Sequence, residues 1–134
     1  MDGRARRGWE GSGVRSEPVT EERPPEDPAF RVLDYEGVEV VCSLEQWVTK
    51  IESAHPDMAG RERDAADAIQ RPALVLRDRD HTNRKHHMAP TPTGHWLKVV
   101  VVYEMEPRSG RVLTAFLLRR LRAGDTVLYP RTED

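Results

Sequence analysis

The stretch that most limits what this chain can fold into is HWLKVVVVYE, His95 to Glu104. Its β-branched residues run without a break from Val99 to Val102, as expected for a central strand covered on both faces. The turn cluster EPRSG follows, and RVLTAFLLRR is expected to return antiparallel. ALVLRD reads as a strand, RKHHM as a further candidate, and TVLYP as a short terminal strand.

Ahead of this sheet, FRVLDYEGVEVVCS predicts a hairpin, Phe30 to Asp34 and Val38 to Cys42, around Glu36 and Gly37. Ser43 is a good N-cap, and Gln46 stands three residues on at the capping-box spacing. Leu44, Trp47, Val48 and Ile51 then form one apolar stripe of a helix. His55 leaves that helix on its buried side, and Pro56 ends it and opens the next. DMAGRERDAADAIQ is the second helix, with Met58, Ala65 and Ile69 on one side and Gly60 weakening the first turn. The expected fold class is α+β: two N-terminal helices packed on a largely antiparallel β-sheet, in one domain over residues 29–134.

Composition narrows the function. Residues 1–28 hold four of the ten prolines and four of the nine glycines, too few apolar groups to offset ordering, and read as a disordered tether. The single cysteine, Cys42, excludes an intrachain disulfide and leaves a thiolate zinc site almost nothing to build on. With no long apolar run and no signal segment, a soluble cytoplasmic protein is expected, without membrane contact. Residues 29–70 carry four basic against nine acidic side chains, net −5, and residues 71–122 carry eleven against four, net +7. A basic half suits a polyanion such as RNA.

Four of the five histidines lie in HTNRKHHMAPTPTGHWLK, among Arg84, Lys85 and Lys98. Asp78, Asp80 and His81 offer metal-type ligands, but the surrounding cations oppose a divalent ion, so no metal or other cofactor is expected. Metal-independent RNA cleavage instead needs a base for the 2′-hydroxyl, an acid for the departing 5′-oxygen and cations for the phosphorus-bound charge. The candidate catalytic residues are His55, His87, Lys98, Thr114 and Arg119, with Arg84, Lys85, His86 and Trp96 as candidate RNA contacts. Strand alternation allows only one of His86 and His87 into a given site. A hairpin symmetric about Arg108 would set Thr114 opposite Val102, roughly 13 Å from Lys98.

Three stretches together resemble a known family: WVTKIESAHPDM (Trp47 to Met58), AIQRPALVLRD (Ala68 to Asp78), and WLKVVVVY through RVLTAF (Trp96 to Phe116). They are similar to the phage- and mobile-element-associated barnase/EndoU/colicin/RelE-like (BECR-fold) nucleases, over about residues 30–130. That resemblance implies a metal-independent ribonuclease, often a toxin, in which an HP-containing helix pair precedes an antiparallel sheet. It carries over at His55 of the HP pair and at Thr114 of the T-A-F strand. Together these readings predict a small endoribonuclease of toxin or phage-effector type, partnered by RNA (tRNA or mRNA) and by an antitoxin or immunity protein. The alternative is a catalytically inactive RNA- or protein-binding module.

Overall fold

A turn held by Asp34 sets the first strand pairing. Its Oδ1 accepts the amides of Glu36 (2.8 Å) and Val38 (2.9 Å), while Gly37 takes φ +85°, a region other residues rarely enter. β1 (Pro28–Leu33) thereby folds back on β2 (Glu39–Ser43). The computed structural model describes residues 27–121 and 125–130. Residues 1–26 of the expected tether lie outside the described residues, and Pro28 already belongs to β1.

After β2 come a π-helical segment (Gln46–Glu52), a 3-10 turn (Pro56–Met58) and one α-helix, α1 (Glu62–Gln70). The rest is strand: β3 (Leu74–Arg77), β4 (Arg84–Pro90), β5 (Trp96–Met105), β6 (Arg108–Leu118) and β7 (Val127–Tyr129). They form one seven-stranded sheet in the order β1-β2-β6-β5-β4-β3-β7, with β5 in the middle.

This corrects the expected fold class. Among the described residues the molecule is mostly a mixed seven-stranded sheet, in which β2 runs parallel to β6, and no pair of N-terminal helices is packed on it. The only regular α-helix among the described residues is α1, nine residues long, and it follows the first hairpin. Two local causes break the expected pair. Gly60 turns the chain at φ +81°, so Pro56–Met58 forms a separate 3-10 turn and α1 begins at Glu62. Ser43 does cap, its Oγ accepting the Gln46 amide at 3.0 Å, but the Gln46 side chain does not close a capping box. It donates instead to the carbonyl of Leu113 at 2.6 Å, satisfying β6.

The register divides the sheet into two faces. One carries Leu97, Val99, Val101 and Tyr103 of β5 with Ala115, and packs in a single core with Trp47, Ile51, Met58, Ala65, Ala68 and Ile69. Each such fully buried large side chain contributes about 1.5–3 kcal/mol by leaving water. Phe30 meets Trp47 edge-on at 6.0 Å and 75°. Gly110 is required where β2, β5 and β6 converge: a Cβ there would lie 2.9 Å from Val101 Cγ1 and 3.0 Å from Tyr103 Cε1. The other face carries Lys98, Val100 and Val102 of β5, His86 and Met88 of β4, and Thr114 and Phe116 of β6, none of which belongs to that core.

Candidate functional site

Period-two alternation sends the two adjacent histidines of β4 to opposite faces. His86 pairs with Val100 on the outer face, and His87 with Val99 on the core face. The His86 side chain keeps 17% of its surface exposed and His87 keeps none, so only His86 can meet a ligand.

His86 Nε2 lies 2.9 Å from Asp78 Oδ2. Asp78 follows β3, and its Oδ1 accepts the amides of Asp80 (2.9 Å) and His81 (3.0 Å), with the His81 ring at 3.4 Å. Burial alone would push the Asp78 carboxyl up, but the hydrogen bonds from His86, the two amides and His81 outweigh it and hold it well below the usual carboxylate range. Asp78 is therefore an anion that only accepts. It follows that Nε2 of His86 bears a proton, which leaves Nδ1 as the nitrogen not engaged by the carboxylate.

Val100 is the floor beside this pair. His86 stands across from it on β4, Thr114 across from it on β6, and Lys98 two residues along β5. With strands about 4.8 Å apart, His86 and Thr114 are roughly 10 Å apart, wide enough for a phosphoryl group between them. Thr114 reaches this place through an irregularity between Val100 and Val101, where Leu113 is left without a partner and Thr114 pairs with Val100 rather than Val102. Lys98 and Thr114 are consequently diagonal neighbours, not residues four positions apart.

Phe116, directly opposite Lys98, joins His55 to this face. The His55 ring stacks on it at 5.1 Å and 25°, and Lys98 Nζ lies 5.5 Å from the same ring. Beside them a cavity of about 300 Å³ is walled by Leu76, Met88, Lys98, Phe116, Leu118 and Asp125.

The remaining candidates lie elsewhere. His87 Nε2 is 3.0 Å from the Tyr103 hydroxyl, which donates to Asp34 Oδ2 at 2.7 Å. Burial pulls its pKa down to about 4, against the attraction of Asp34, and its Nδ1 is buried without a hydrogen-bond partner. It is a neutral core residue, which removes it from the reacting set. Arg119 stands with His95, Thr93 and Gly94 around a shallow cleft past the end of β6. Trp96 is half-buried at the start of β5, opposite Pro90 and Leu118. Lys85 bonds Glu36 (3.0 Å) and Tyr35 (3.3 Å) between the Tyr35 and Tyr103 rings, and Arg84 begins β4.

Asp78 is the residue sequence reasoning missed: it was weighed only as a metal-type ligand, a reading set aside, and was given no other task. Its signal was the D-x-D-H spacing, which suits a side chain bonded to amides two and three residues on. Among the described residues no group of three or more His, Cys, Asp or Glu side chains is arranged to hold a metal ion. Burial pushes the Cys42 thiol up to about 12, helped by Glu62, so it stays protonated. Among the described residues no helix is long and apolar enough to cross a membrane. No family model, curated protein or solved structure matches this chain.

Proposed function

We propose that the chain is a metal-independent endoribonuclease whose centre is His86, held by Asp78, on the outer face. The observation that carries this reading is the carboxylate-held imidazole sharing one floor residue, Val100, with Lys98 and Thr114. The reading rests on that geometry and not on the family resemblance, whose fold expectation the sheet corrects.

In the proposed reaction His86 Nδ1 takes the proton of a ribose 2′-hydroxyl, and the 2′-oxygen attacks the adjacent phosphorus. The bond from phosphorus to the 5′-oxygen breaks, leaving a 2′,3′-cyclic phosphate. His55, as imidazolium, supplies the proton to the departing oxygen, and Lys98 offsets the charge gathering on the phosphoryl oxygens. Thr114 positions the phosphate by its hydroxyl, and the basic half of the chain, β3 through β6, supplies the attraction for the strand. A toxin or phage effector acting in the cytoplasm, restrained by a protein partner, is the setting in which such an activity fits.

The deciding experiment incubates the purified protein with total RNA and tRNA, with and without EDTA, and maps the new 3′ ends. EDTA-resistant cuts ending in 2′,3′-cyclic phosphate, lost in His86→Ala, are expected. A folded protein that binds RNA and cuts none of these substrates returns the non-catalytic binding module.

A further inference from the structure

A second cavity, of about 320 Å³, opens at the start of β4 and is lined by Tyr35, Glu36, Arg77, Thr82, Arg84 and Lys85, with Leu128 at its side. Three cations face it against one carboxylate, and that carboxylate is engaged: Glu36 Oε1 holds Lys85 Nζ at 3.0 Å and Arg108 Nη2 at 3.2 Å. Arg77 and Arg84 make no ion pair among the described residues. Arg84 Nε is also buried without a hydrogen-bond partner. A buried guanidinium donor with nothing to bond is unfavourable, and an acceptor oxygen from outside would complete it.

We propose that this cavity is a phosphate subsite. Arg84 and Arg77 bond the anion's oxygens, the Thr82 hydroxyl donates to it, and Glu36 acts as the internal counter-anion that keeps Lys85 and Arg108 partly neutralised. Resting on the ribonuclease reading above, the phosphate is one flanking the cleaved linkage. Arg84 and His86 are two residues apart on one strand and share a face, about 7 Å along it, a distance comparable to that between successive phosphates of an extended single strand. Arg77 and Lys85, which pair with each other, alternate to the other face and line the cavity together with Arg84, so it is through Arg84 that the cavity gives the bound RNA a register relative to His86.

Two measurements on the full chain test this. The first follows the arginine Nε–H resonances by NMR during titration with inorganic phosphate. The Arg84 signal is expected to move at concentrations that leave that of Arg31, an exposed arginine beside Glu39, in place. The second measures binding of a 2′-O-methyl oligoribonucleotide, which cannot be cleaved through its 2′-oxygen. In Arg77→Ala/Arg84→Ala the slope of log affinity against log salt should shrink by about 0.7, the value for one phosphate contact on a single strand. Glu36→Gln, which releases Lys85 and Arg108, should tighten binding severalfold. Equal movement of Arg31 and Arg84, or an unchanged slope and affinity in the double variant with wild-type circular dichroism, overturns the subsite. Phosphate binding at Arg84 by a protein that neither binds nor cuts RNA leaves the subsite standing and overturns the ribonuclease reading; cleavage indifferent to the double variant does the reverse.

Discussion

At His87 the ring is neutral and sealed in the core, and that has a consequence in acid. Its folded pKa, near 4, lies below the ordinary value of 6.5, so the unfolded chain binds the proton first. Stability from this group is complete above about pH 6.5 and is lost as pH falls toward 4, by roughly 3 kcal/mol in all. Urea unfolding at several pH values should show this loss, and His87→Phe should flatten it; an equally steep acid limb in that variant would place the loss elsewhere. Asp78 matters in a different way, because it determines which nitrogen of His86 is free. Asp78→Asn should cut the cleavage rate by about 10²–10⁴ while oligonucleotide affinity stays within about threefold. A parallel fall in affinity would mean that Asp78 supports the surface rather than the proton transfer.

Among the elements, β6 depends on two contacts that the pattern of its own residues does not reveal. Gly110 lets β2, β5 and β6 close, so Gly110→Ala should destabilise the protein by about 1–3 kcal/mol, read as a lower denaturant midpoint. Gln46 covers the Leu113 carbonyl, and Gln46→Ala should cost about 1 kcal/mol. Much of the element level was legible: the continuous valines marked β5 as the middle strand, and Ser43 marked a helical start. What was not legible depends on contacts distant in sequence. The parallel pairing of β2 with β6 joins residues about 70 apart, such as Val40 and Gly110. The irregularity at Leu113 has no local signature, and without it Thr114 was placed too far from Lys98. The π-helical segment also lay beyond a 3.6-residue reading, although Trp47 Nε1 bonding Glu52 Oε2 at 2.7 Å, five residues on, accords with the wider turn.

For the whole molecule, the sequence order of charge becomes a spatial order. The basic stretch 71–122 contributes β3 through β6, which are contiguous in the sheet, so the stretch that carries the excess of cations forms the part of the sheet in which the outer-face site lies. RNA affinity should accordingly fall steeply and linearly on a log–log plot against salt. A flat dependence would exclude the sheet as a polyanion surface.

The neighbouring histidines of β4 also give this protein a check on its own assembly. A one-residue slip of β4 that set His86 opposite Lys98's neighbour Val99 would draw that ring into the apolar interior and leave its carboxylate, Asp78, behind. Such a mispaired chain would keep its composition, its charge and most of its strand content, and on the proposed ribonuclease reading it would be silent as a catalyst. On that reading specific activity per folded molecule would count correctly paired sheets, and a refolded sample that regained its circular dichroism before its activity would contain chains still misaligned at this strand.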